Sequence, residues 1–380
     1  MAQSTFTDRT FPKVELHLHL DGGIRPATIW EISNFCSLST AVCLSCGIKL
    51  GSKELNSVTK RGISVGCSSL EELEKDLVEW KTGDLSTFLS EFNRFMPVFI
   101  GDLQSIKRIS YELCEDMSKE GAVYFEARYS PHLFSNLPRV KNFFNVPEGD
   151  VTPRDVVRVV NEGIREGSKD FGLQARTVLC MIRDKPEWSA EVLELCKEFH
   201  NDTVVGIDLA NNEMLELYTQ HIEGFKGAKT AGIHRTCHAG EMGPASSVQT
   251  AIEILEAERI GHGYHIFDDE SVVKLAKEKS IHFEVCPTSS TRTGALEDDF
   301  DNHCAKRFLN EGMNISINTD DPTLFGATLT REFSIARNHF GMDDRALALM
   351  TLNAARASFL PDDQKAEMIQ SLKVKFKEIL

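Results

Sequence analysis

Nothing in this 380-residue chain approaches the roughly 18–20 consecutive apolar residues that a membrane-spanning helix needs. The opening segment, MAQSTFTDRTFP, lacks the apolar stretch of a secretory signal. Positive charge is scarce: 42 Lys and Arg stand against 57 Asp and Glu, a formal net charge of −15. A nucleic-acid-binding surface needs a basic footprint, so that class is disfavoured, and a small neutral or cationic substrate is easier to accept than a polyanion. With no signal segment, the ten cysteines read as reduced thiols of a cytoplasmic protein. Several (Cys180, Cys237, Cys286) lie in apolar strand-like runs, where a thiol packs as a small core residue. Cys43-Leu44-Ser45-Cys46, flanked by Cys36 and Cys67, falls short of a structural metal knuckle because no second CxxC accompanies it. No heptad or long apolar edge calls for a partner chain, so a monomer is expected.

What the chain does have is a rhythm. β-Branched and apolar runs recur at 13–20, 122–131, 173–182, 203–210, 233–241, 259–265, 281–289 and 314–322. Helical patterns at 26–36, 71–80, 84–100 and 103–119 follow the first run. Others at 153–168, 187–199, 245–257, 271–279 and 303–310 lie between later runs, and 343–358 and 361–379 close the chain. Asp84 and Asp102 are placed to cap two of the early helices. Alternation of strand and helix implies parallel strands, and eight of them imply a (β/α)8 TIM barrel with additional helices. A doubly wound open sheet is the rival, but no Gly-rich phosphate loop follows the first strand. One domain over residues 1–380 is expected, with an irregular excursion at about 37–80.

Chemistry concentrates at strand ends, where such a barrel keeps its active site. In KVELHLHLDGG (13–23), His17 and His19 share one face of a strand while Leu16, Leu18 and Leu20 take the other. Their Cα atoms then lie about 6.6 Å apart, close enough for two imidazoles to meet one metal ion. Cys237-His238-Ala239-Gly240-Glu241, Gly261-His262-Gly263-Tyr264-His265 and Asn318-Thr319-Asp320-Asp321-Pro322 end three more strands. His17, His19, His238 and Asp320 make a His-rich set with a carboxylate that suits zinc better than magnesium. A zinc ion lowers the pKa of bound water towards about 7. Glu241 is a candidate to carry a proton if partial burial raises its pKa, and His262 to orient the nucleophile or stabilise charge. Asp321 is a candidate hydrogen-bonding partner for a substrate, and Thr288, Ser289 and Ser290 for pocket hydroxyls. His234 and His265 receive no role. The H-x-E with P-C-x-x-C signature of cytidine-type deaminases is absent.

Six segments, PKVELHLHLDG (12–22), EARYSPHL (126–133), GIHRTCHAGE (232–241), RIGHGYH (259–265), HFEVCPTSS (282–290) and NTDDP (318–322), together resemble the adenosine deaminase family of the metal-dependent amidohydrolases in order and spacing. The likeness runs from about residue 13 to 360, outside the excursion. It implies hydrolytic removal of the 6-amino group of adenosine or 2′-deoxyadenosine, in purine salvage and catabolism, with one Zn²⁺ per subunit. Carried over by position, His17, His19, His238 and Asp320 match the zinc ligands. Glu241 matches the acid/base at purine N1, and His262 the group that positions the hydroxide. Asp321 matches an acceptor near purine N7, and Asp21 the residue that binds the ribose 5′-hydroxyl. Asn211 stands where the family usually has a glycine whose backbone N–H meets purine N3; Asn211 keeps that N–H but adds a side chain. An acidic residue at Asp21 disfavours a 5′-phosphate by like charge. The alternatives are a deaminase of adenine or of a 5′-modified adenosine, and a weakly active nucleoside-binding or interaction protein.

Overall fold

The computed structural model describes residues 7–34, 65–79, 85–141, 144–200 and 202–380. Eight strands follow one another round a single sheet in chain order: β1 (Lys13–His19), β2 (Ala122–Tyr129), β3 (Gln174–Ile182), β4 (Val204–Ala210), β5 (His234–Ala239), β6 (Arg259–His262), β7 (His282–Val285) and β8 (Asn314–Ile317). Every neighbouring pair is parallel, and the helices between them sheathe the outside. The (β/α)8 architecture expected from the alternation is therefore present.

The backbone bridge between first and last strands is made by Asp320, past the end of β8. The Asp320 N–H donates to the His17 carbonyl at 2.9 Å, and the Asp320 carbonyl accepts from the His19 N–H at 2.9 Å, a parallel bridge centred on Leu18. Beside it, the Leu16 N–H donates to Asn318 Oδ1 at 3.0 Å.

Outward-facing apolar side chains of the strands, such as Leu16, Leu18, Ile207, Leu209, Phe283 and Val285, are fully buried against the helices. The inward face is charged. The Arg128 guanidinium reaches Asp208 Oδ2 at 3.1 Å and Glu284 Oε2 at 2.6 Å. Arg259 reaches Glu126 Oε2 at 2.6 Å and Glu284 Oε1 at 2.7 Å. All five side chains are essentially unexposed, so each charge depends on its partners.

The expected helices are present with shifted ends, and the strand ends run shorter than the apolar pattern. Expected strand 281–289 stops at Val285 and turns into the helix Pro287–Arg292; 259–265 stops at His262 and enters the 3-10 turn Tyr264–Asp268. Two helices of ten or more residues, Thr219–Thr230 and Leu329–Asn338, escaped the pattern, as did the short ones Pro131–Phe134, Pro287–Arg292 and Pro322–Phe325. The first contains Gly224 and Gly227, residues of low helix propensity. In the fold they are contact points: a Cβ on Gly224 would strike Met181, and one on Gly227 would strike Leu193. Asp102 caps its helix, accepting from the Gln104 and Ser105 N–H groups. Asp84 and residues 37–64 of the expected excursion lie outside the described residues, while 65–79 contain the helix Leu70–Val78, capped by Ser69.

Candidate active site

The strands turn their polar ends to one mouth. His17 and His19 come from β1, His238 from β5, His262 is the last residue of β6, and Asp320 follows β8. His17 Nε2 lies 3.2 Å and His19 Nε2 3.3 Å from Asp320 Oδ1, and the Nε2 atoms of His19 and His238 face each other at 3.2 Å. At most one of two facing imidazole nitrogens can donate, so at least one presents a lone pair there. His17 Nε2 is buried, and its 3.2 Å contact with Asp320 Oδ1 is not aligned as a hydrogen bond. The ligand atoms of His17, His238, His262 and Asp320 all lie within 4.8 Å of one another. Imidazoles with one carboxylate are a donor set that fits a zinc ion. His262 thus sits as near this centre as the expected ligands do.

A further layer holds the imidazoles in place. His17 Nδ1 lies 2.8 Å from Glu284 Oε2, and His238 Nδ1 2.9 Å from Asp208 Oδ2. His262 Nδ1 is 3.1 Å from the Tyr264 hydroxyl, and the Ser289 hydroxyl donates to Asp320 Oδ2 at 2.7 Å. These contacts leave the Nε2 atoms free and fix the ring planes. Burial pushes the imidazolium forms of His19, His238 and His262 down, so the rings are neutral, the form that ligates a metal. The same Arg128 that pairs with Glu284 also pairs with Asp208, so one guanidinium ties together the supports of two imidazoles. The geometry is tight. A Cβ on Gly261 would stand 2.7 Å from His17 Cε1, and His262 and Asp320 take φ of 68° and 64°, sparsely populated values for residues with side chains.

Glu241 enters from the turn after β5, 6% exposed, with Oε2 3.7 Å from His262 Nε2. Burial, reinforced by Asp320 and Glu213, pushes its carboxyl up to about 8. Burial, with Asp320 and Asp21 beside it, drives Asp321 well above the usual range; burial raises Asp21 to about 6. Asp21 and Asp321 each keep a buried Oδ1 without a hydrogen-bond partner among the described residues. Beside Asp321, Gly22 leaves no room for a Cβ. These groups open on a cavity of about 410 Å³ whose apolar walls include Phe88, Phe92, Leu133, Ile182 and Leu215. Asn211 also lines it. His234 and His265 pair with Glu258 and Asp268 and are not among the lining residues.

A sequence profile of the adenosine deaminase family matches residues 55–375. Over 363 residues, 95% of this chain and 94% of its counterpart, the sequence is 44% identical to an adenosine deaminase of Xenopus tropicalis. The chain belongs to the adenosine deaminase family. An adenosine deaminase of Mus musculus is 42% identical, covering 95% of this chain and 96% of that one. Among solved structures, an adenine deaminase from Arthrobacter aurescens matches with a TM-score of 0.78 and 25% identity, over 96% of this chain and 99% of the other.

The departure from the family pattern at Asn211 has a structural reading. Its φ is 79°, a conformation that glycine takes freely and that Asn tolerates better than most residues. The side chain is tied down: Oδ1 accepts from the Asn212 N–H at 2.9 Å, and Nδ2 donates to Asp184 Oδ1 at 2.9 Å. Sequence reasoning missed Asp208, Glu284 and Arg128, the supports of the imidazoles, and Asp184 and Glu213. A partial signal existed for Asp208 and Glu284: each is a lone charge inside an otherwise apolar strand run, which the inner face of a barrel must neutralise, whereas Arg128 shares its run with Glu126.

Proposed function

We propose that this chain is a zinc-dependent hydrolase that deaminates adenosine and 2′-deoxyadenosine to inosine and 2′-deoxyinosine, releasing ammonia. The observation that carries the reading is the convergence of imidazoles and Asp320 beside Glu241, a carboxyl that burial raises to about 8. His17, His19, His238 and Asp320 would hold one zinc ion, with His262 directed at the nucleophile. A zinc ion so held makes water nucleophilic at neutral pH.

The chain's own residues do the rest. Glu241 donates a proton to purine N1, which makes C6 electrophilic, and His262 orients the attacking water through Nε2; one proton of that water replaces the one Glu241 gave up, and the other leaves with the amine as the C6–N bond breaks and ammonia departs. The resemblance gives Asp321 an acceptor's role near N7. N7 itself carries a lone pair and no proton, so Asp321 must act there as the donor, and burial beside Asp320 keeps it protonated for that. The Asn211 N–H meets N3, and Asp21 takes the ribose 5′-hydroxyl. Asp21, ionised above about pH 6, disfavours a 5′-phosphate by like charge. A cytoplasmic, monomeric enzyme of purine salvage belongs to the same proposal. The seven described cysteines, all free thiols, suit a reducing compartment, and gel filtration checks the monomer.

The test is ultraviolet absorbance of adenosine with purified protein, with and without a chelator, beside AMP and adenine. Conversion of adenosine alone, abolished by chelation and restored by zinc, is expected. Turnover of adenine or AMP in preference would overturn the substrate assignment.

A further inference from the structure

The loop after β4 brings Asn211 and Leu215 to the cavity wall, but Glu213, between them, has its carboxylate engaged elsewhere and is only 8% exposed. Its Oε2 accepts from the N–H groups of Glu241 at 3.0 Å, Met242 at 3.1 Å and Gly243 at 3.0 Å. Its Oε1 accepts from the Gly240 N–H and from the Ser247 hydroxyl. Residues 240–243 lie between β5 and the helix Ala245–Glu253 and belong to neither, so their N–H groups have no ladder to join. One carboxylate supplies the acceptor for all four, and a carboxylate has about that many lone-pair sites. Burial raises the Glu213 carboxyl, but Ser247 and the Gly243 and Gly240 N–H groups more than reverse this, so it stays ionised. The fit leaves no slack at Gly243, where a Cβ would stand 2.7 Å from Glu213 Oε1.

We propose that Glu213 is the positioning residue of this site: a carboxylate on the loop that lines the purine cavity fixes the backbone that carries Glu241. The proposal rests on the deaminase reading given above. It makes the wall at Asn211 and Leu215 and the proton donor one rigid unit, so that a base seated against the wall finds Glu241 at its N1 edge. A displacement of about 1 Å at such a donor costs about 10²-fold in rate.

The test compares zinc-saturated wild type with E213Q, E213D and G243A. In E213Q an amide NH2 group is turned on backbone N–H donors; kcat falls about 10²-fold while KM stays within about 3-fold. E213D keeps the charge and recovers part of that loss. G243A crowds the same carboxylate from the other side and lowers kcat about 10-fold. All three keep stoichiometric zinc. Amide hydrogen exchange of Gly240–Gly243, slow in wild type and at least about 10-fold faster in E213Q, reads the clamp without turnover. A kcat within about 3-fold of wild type in both E213Q and G243A overturns the proposal, as does a loss confined to KM. Should E213Q fail to fold, E213D and G243A decide on the same terms. If zinc-loaded wild type leaves adenosine untouched, the deaminase reading fails, and hydrogen exchange alone decides the clamp.

Discussion

Glu241 meets the requirement that most constrains this chemistry, a carboxyl that still holds its proton at neutral pH. Its ordinary value is 4.5, and the site raises it to about 8. With Glu241 as the proposed proton donor, the acid form is the working form, so kcat/KM holds below the raised value and falls as pH rises through it. A bound cation pulls that value down, which places the falling limb at or below about pH 8. A profile still flat at pH 9 would show that another group gives the proton. Glu241→Gln removes the proton but little volume; activity should drop by about 10²–10⁴-fold, with zinc content and melting temperature retained. Asp21 tests substrate contact in the same way. Asp21→Ala should weaken adenosine by about 10-fold or more, the worth of a hydrogen bond to a charged group, and leave 5′-deoxyadenosine nearly unaffected. Equal losses for both would assign Asp21 elsewhere.

At the scale of elements, strands deliver the site and short turns finish it. The eight strands and most helices were legible because parallel strands, buried on both faces, leave apolar runs that helical periodicity interrupts. The His17, His19 pair was legible from strand alternation alone. The supports Glu284 and Asp208 were not, because a single charge in a strand does not say which charge on a distant strand it will meet. The helix Thr219–Thr230 was hidden by glycines whose purpose, close approach to Met181 and Leu193, exists only in three dimensions. Gly261 on β6 belongs to the same class. Gly261→Ala should drive a methyl into the His17 ring and lower zinc affinity by about 10–100-fold, the usual cost of disturbing a ligand's support. Chelator competition measures it, and unchanged affinity would mean that His17 can shift without cost to the metal.

For the whole molecule, the proposed metal would link to the stability of the fold. If the folded chain binds zinc and the unfolded chain does not, zinc at about a thousand times its dissociation constant adds about 4 kcal/mol to stability. Calorimetry with and without a chelator should show the melting transition fall and return on adding zinc; an unmoved transition would rule out the coupling. Chain order adds a consequence of its own. The residue that closes the barrel, Asp320, is also the residue whose carboxylate meets His17 and His19, some 300 positions away along the chain. Until a ribosome has delivered that late residue, the early histidines have neither a strand partner on that side nor their carboxylate. A chain cut short before it would therefore be open-edged and without the carboxylate that meets His17 and His19 at the same time, so an unfinished barrel is also an unfinished site.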